Sequence, residues 1–196
     1  MTKPILRLCL AATAIALLSA CASAPVLAPA GKFQSLTLDR DWSDATTVYP
    51  GKGPKTKFLT VDGFLLNRLY VADGVGPADP LFISPTKGDT STNPAPRGKA
   101  DMSLTEQMEY VASAVGALDY QKVETSNPKP VMVGDTKGVR FELTAKTTEG
   151  LNIHGLAQAV SKKGLSYYVV YLAPQEHYYD ATLKNAVAAM DSQKLP

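Results

Sequence analysis

The stretch Leu165 to Leu172, reading LSYYVVYL, carries no charge and is apolar or aromatic on both of its alternating faces. Leu165, Tyr167, Val169 and Tyr171 project one way; Tyr168, Val170 and Leu172 project the other. A strand of this kind is stable only when both faces are covered. It therefore sits inside a sheet with a layer on each side, and Pro174 ends it. Two segments are suited to supply the cover. Ser103 with Glu106 three residues on forms a capping box, and Leu104, Met108, Val111, Ala112, Val115 and Leu118 follow as one apolar stripe of a helix over 103–118. A closing helix over 176–192 places Tyr179, Leu183, Ala186, Val187 and Met190 on its buried side.

β-type runs at 121–125, 130–133, 138–147, 151–161 and 165–172 are punctuated by Gly134-Asp135, Thr148-Glu149-Gly150 and Lys162-Lys163-Gly164, giving an antiparallel meander. Upstream, Phe33–Leu38 is expected as a first strand, followed by a turn-like stretch with the single tryptophan, Trp42. Lys57–Val61 and Phe64–Val71 meet at Asp62-Gly63, a type I′ hairpin signal. Residues 72–101 hold five of the 14 prolines and a polar run from Thr86 to Asn93; they read as a mobile loop, with Leu81–Ile83 as a short edge strand. The sum is an α+β fold, an antiparallel sheet with two main helices.

The N-terminus carries an address. Lys3 and Arg7 precede 13 uncharged residues, Leu8 to Ala20. That run is too short for the ~20 residues of a spanning helix and reads as a signal peptide. Leu18-Ser19-Ala20-Cys21 resembles the bacterial lipobox, which implies cleavage before Cys21 and acylation of its thiol. The expected organisation is a signal peptide at 1–20, a lipidated cysteine and Pro-containing tether at 21–31, and one domain at 32–193. Ala22 and Ser23, in place of an inner-membrane retention Asp, point by the same resemblance to the outer membrane, facing the periplasm. Without Lys3 and Arg7 the 20 Lys+Arg fall to 18, equal to the 18 Asp+Glu, so nothing suggests a nucleic-acid partner. Cys9 leaves with the leader, so no free thiol remains for disulfide or metal work.

The order of elements is similar to that of the PsbP-like sandwich, shared by a photosystem extrinsic subunit, Ran-binding nuclear-import factors and bacterial lipoproteins, and it resembles uncharacterised proteobacterial envelope lipoproteins. Val61-Asp62-Gly63 with Leu66-Asn67-Arg68-Leu69, Gly138–Glu142 and Tyr168–Pro174 carry the likeness. None of these is chemically specific, and no Ran or photosystem contact is implied.

Catalytic signatures are missing: there is no GxSxG, HExxH, GxxxxGK[ST] or CxxC. His154 and His177 have no helical i,i+4 partner, so no metal and no cofactor is expected. The loop Gly51–Lys57 lacks phosphate-loop spacing and reads as solvated. Five of nine tyrosines fall between Tyr167 and Tyr179. They pack either as core and rim or as an aromatic surface for an envelope protein or wall glycan, in which case Tyr168, Tyr171, His177 and Tyr178 are its candidate residues, bordered by the 84–101 loop. The expected function is a membrane-anchored, non-enzymatic binding or structural module. The competing class is a periplasmic hydrolase in which the fold gathers Asp62, Glu176 and His154.

Overall fold

The computed structural model describes residues 33–39 and 41–196; the leader, Cys21 and the tether lie outside the described residues. Seven strands form one antiparallel sheet: β1 (Ser43–Asp44), β2 (Thr56–Thr60), β3 (Arg68–Val75), β4 (Gln121–Val133), β5 (Thr136–Lys146), β6 (Asn152–Lys162) and β7 (Leu165–Pro174). Helix α1 (Leu104–Gly116) links β3 to β4, and α2 (Tyr178–Asp191) follows β7. The strand order β1-β2-β3-β7-β6-β5-β4 puts β7 at the centre. Its Tyr168, Val170 and Leu172 enter the core with α1, and its Val169, Tyr171 and Ala173 enter a second core with α2. The α+β sandwich expected from the sequence is the fold observed.

The meander closes through tight turns. Lys163 and Gly164 both have positive φ between β6 and β7, as a two-residue hairpin requires. β4 is one 13-residue strand rather than the two short runs expected. It tolerates Pro128 and Pro130 because it is an edge strand, with register shifts that absorb them.

Three local expectations are corrected. Phe33–Leu38 is no continuous strand; it makes isolated bridges at Ser35, to Lys194, and at Thr37. Asp62-Gly63 is not a two-residue hairpin, since residues 61–67 link β2 to β3. Buried Asn67 organises that link: its Oδ1 accepts from the Val61 amide at 2.7 Å and the Thr60 hydroxyl at 2.9 Å, and its Nδ2 donates to Asp62 at 2.6 Å. Residues 81–83 form no strand and the 84–101 loop does not hang free. Leu81 and Phe82 are fully buried, the Leu81 amide donates to the Tyr110 hydroxyl at 3.0 Å, and Arg97 pairs with Asp89 at 2.6 Å.

The capping box of α1 forms as expected, with the Glu106 amide donating to Ser103 Oγ at 3.2 Å and the Ser103 amide donating to Glu106 Oε2 at 2.9 Å. Of the expected stripe, Val111, Val115 and Leu118 are buried, Met108 and Ala112 half-buried and Leu104 exposed, and the buried face widens to take in Gln107, Tyr110 and Ala114. The reason is the hydroxyl of Tyr110, which the 79–81 segment satisfies, so that a polar-tipped ring takes the inward position. In α2, similarly, Thr182 and Ala189 are buried, and Tyr179, Leu183 and Val187 are only half-buried.

A buried glutamine relay joins the ends of the chain to the sheet under α2. Arg140 Nη2 donates to Gln158 Oε1 at 2.6 Å, Gln158 Nε2 to Gln193 Oε1 at 2.6 Å, Gln193 Nε2 to Gln34 Oε1 at 2.7 Å, and Gln34 Nε2 to the Ala72 carbonyl at 2.6 Å. Gln158 also donates to the Met190 carbonyl. Removing the central member leaves buried groups without partners, which costs more than the bond itself is worth. Gln158→Ala is expected to lower stability by about 2 kcal/mol in urea unfolding; an unchanged midpoint would show that the relay adds nothing.

Candidate functional site

The tyrosines that the sequence offered as a surface separate. Tyr168 and Tyr171 are both fully buried, so neither belongs to a binding surface. Tyr168 packs against Tyr110 with ring centroids 5.8 Å apart. Tyr171, on the opposite face, stacks on Tyr179 at 5.6 Å, meets Trp42 edge-on at 6.5 Å, and shares its hydroxyl proton between the carbonyls of Tyr178 and Tyr179. Burial pushes both phenols well above their ordinary range. The cause is the central place of β7, whose two faces are both covered. Of the four candidates, His177 is exposed and Tyr178 half-buried, with their rings 5.2 Å apart. His177 holds φ 70° and ψ −57°, and the Glu176 carbonyl accepts from the Tyr178 amide at 2.9 Å, a strained γ-turn that opens α2. The 84–101 loop does not border this pair. It is fastened on the α1 side, to Asp119 through Ser84 and Thr86.

The residues of the hydrolase reading are not joined. Asp62 accepts from Asn67 within the 61–67 link, Glu176 is exposed, and His154 packs edge-on against Tyr179 at 5.3 Å. Among the described residues no ion pair links them. Nor do three or more His, Cys, Asp or Glu gather as a metal site.

A roomier concavity lies elsewhere. A groove of about 700 Å³ lies on the face that carries α2, over the adjoining ends of β2, β3 and β7. Alternation along those strands puts Lys57, Val71, Asp73, Leu165 and Tyr167 on this face, in phase with Leu59, Val169 and Tyr171 of the second core. One wall is the N-terminal segment, Phe33 and Gln34; the other is the loop that carries Lys52, Pro54 and Lys55. The Gln34 amide donates to Asp73 Oδ1 at 2.9 Å, so the glutamine relay positions the first wall. A shift of register between Ala72 and Val75, with Gly74 at φ 64°, turns the end of β3 into the groove.

The lining is mixed in a definite way. Phe33 and Leu165 are 53% and 38% exposed and face the groove with Val71 and Tyr167. Three lysines join them. Lys55 pairs with Asp79 at 2.8 Å and donates to the Gly74 carbonyl, and Lys57 lies 3.9 Å from Asp44. Lys52 makes no ion pair among the described residues. Burial pushes the Asp73 carboxyl above its usual range, against the Gln34 hydrogen bond and the nearby Lys55 and Lys57.

Nothing local in the sequence marks this site: Gly51–Lys57 reads as a solvated loop, and the groove draws on four segments with no shared local pattern. The one signal available was three lysines close together before and at the start of a strand, at 52, 55 and 57.

No family model matches the chain, and no curated protein matches it. Solved structures do. The solution structure of cyanobacterial PsbP from Synechocystis sp. PCC 6803 is 13% identical, covering 89% of this chain and 94% of that one, with a TM-score of 0.58. The Ran-binding protein Mog1p of Saccharomyces cerevisiae is 8% identical, covering 83% and 89%, with a TM-score of 0.50. At these identities the likeness shows the PsbP-like fold and nothing of the activity.

Proposed function

We propose that this chain is a non-catalytic binding module of the bacterial envelope, held to the outer membrane and facing the periplasm through an acylated Cys21, with the groove as its ligand site. The groove carries the reading. Its volume falls within the ~300–1,000 Å³ of small-molecule sites, and it combines apolar side chains with a few cationic groups on a rigid sheet. His177 and Tyr178 alone are too small for a partner protein, since a stable interface takes about 20–30 residues a side. The anchor rests on the lipobox of Leu18–Cys21 and on chemistry: acyl chains at about 0.8 kcal/mol per buried methylene hold a protein that carries no basic excess. Among the described residues no helix is long and apolar enough to cross a membrane.

Two measurements test this. Cys21→Ala is expected to shift the protein from the membrane fraction to the soluble fraction, and the N-terminal peptide of the wild type is expected to be acylated at Cys21; unchanged partition overturns the anchor. A photo-crosslinking residue at Leu165 is expected to trap an envelope component in intact cells, and one at Tyr178 to trap none. The reverse pattern would move the ligand site to the α2 terminus.

A further inference from the structure

We infer that the groove binds an anionic amphiphile, its acyl chain lying between Phe33, Val71, Leu165 and Tyr167 and its acidic head group meeting Lys52, Lys55 and Lys57. This deepens, and rests on, the reading of the groove as a ligand site.

Two independent features of the lining select this chemistry. The first is apolar surface left in water on one wall and on the sheet face that floors the groove. Phe33 belongs to the N-terminal segment and Leu165 to the start of β7, and both are exposed although the cores beside them are dry. An alkyl chain laid between them removes both from water at once, over a floor to which the already buried Val71 and Tyr167 contribute. A sugar or a nucleotide, with hydroxyls around its rings, would cover this apolar surface less completely than an alkyl chain does.

The second feature is the distribution of charge. Lys52 and Lys55 belong to one wall and Lys57 to the adjoining face of β2, and their counter-charges are uneven. Lys52 has none among the described residues. The pairs Lys55–Asp79 and Lys57–Asp44 are solvent-exposed, and the second is long at 3.9 Å. The long, exposed Lys57 pair is weak, so Lys57 joins Lys52 in turning to a carboxylate or phosphate brought beside an apolar chain, where less water competes, while Lys55, held by Asp79 and the Gly74 carbonyl, adds its charge from a fixed place. Asp73 stands at the β3 end of the groove and is held by the Gln34 amide, which sets the polar limit of the chain's path. A neutral amphiphile would leave the ammoniums without a counter-charge, and a cationic one would meet three like charges against the single carboxylate of Asp73. Inorganic phosphate would find the lysines but leave the apolar surface in water.

The probes are dodecanoate below its micellar concentration, dodecanol, and inorganic phosphate, titrated calorimetrically without detergent into the full chain carrying Cys21→Ala. The expected result is saturable binding of one dodecanoate, weaker by about tenfold or more in Lys52→Ala and in Leu165→Asp and retained in Lys52→Arg. Dodecanol is expected to bind more weakly by a similar factor, and phosphate not measurably. Lys52 and Leu165 lie outside both cores, and circular dichroism checks that the variants fold. Equal affinity for dodecanol, tight binding of phosphate alone, or dodecanoate binding indifferent to both substitutions overturns the proposal. Binding that emerges only after cleavage before Phe33 also overturns it, because the groove would then belong to the chain's own N-terminal segment. If dodecanoate fails while crosslinking from Leu165 persists, the amphiphile is wrong and the ligand site stands; if both fail, the groove itself is no ligand site.

Discussion

Tyr171→Ala is expected to destabilise the domain by about 3–5 kcal/mol, and Tyr168→Ala by a similar amount, while Tyr178→Ala stays within about 1 kcal/mol of wild type. Both larger losses follow from β7. Truncating Tyr171 opens a cavity between the sheet and α2, removes the stack on Tyr179 and the edge contact with Trp42, and leaves the carbonyls of Tyr178 and Tyr179 without the hydroxyl that they share. Truncating Tyr168 opens the opposite core under Tyr110. Half-buried Tyr178 loses its contact with His177 and part of its packing on the second core. Urea unfolding followed by circular dichroism measures all three. A Tyr171→Ala protein as stable as wild type would mean that β7 is not the covered centre of the sheet. Since whole domains are stable by only about 5–15 kcal/mol, alanine at these two tyrosines tests folding and cannot serve as a test of binding.

Those tyrosines also show how far the sequence could be read. The alternation along 165–172 was enough to require cover on both faces, and the sheet order grants it. The same argument buries Tyr168 and Tyr171, yet their hydroxyls and their crowding suggested a surface. The deciding quantity was strand position, not composition. The capping box at Ser103 was legible because it is local, closed within four residues. The 61–67 link was not, because Asn67 organises it from within what read as a strand. The glutamine relay had no local trace at all: Gln34 and Gln193 are 159 residues apart along the chain. The groove failed for the same reason, being assembled from the N-terminal segment, the loop before β2, the end of β3 and the start of β7.

Gly53→Ala is expected to destabilise the protein by about 3 kcal/mol, at the upper end of overpacking, and to disturb the groove with it. A Cβ at residue 53 would stand 1.9 Å from the Pro80 carbonyl oxygen and 2.8 Å from that of Leu81. Both obstacles are backbone, so no side chain can turn aside; the 80–82 segment has to move. That segment is held from three directions, by the Gly53 amide and the Thr56 hydroxyl on the Leu81 carbonyl and by the Tyr110 hydroxyl on the Leu81 amide. Leu81 and Phe82 are fully buried beneath it. Displacing it therefore strains the first core, and the alternative is to push residues 52–55 outward, which carries Lys52, Pro54 and Lys55 away from the groove. The glycine is thus required by close approach of two backbone segments, which gives the Gly-containing loop a packing reason in place of a phosphate-binding one. Gly116→Ala is the matched control. Residue 116 ends α1, nothing lies within 4 Å of the added Cβ, and the change is expected to raise stability by about 0.5 kcal/mol through helix propensity and a less flexible unfolded chain. Thermal unfolding of both variants, with dodecanoate titration of Gly53→Ala, decides the matter. A Gly53→Ala protein with the wild-type melting temperature would show that the 52–55 and 80–82 segments are not packed together, and the wall of the groove built on that contact would go with it.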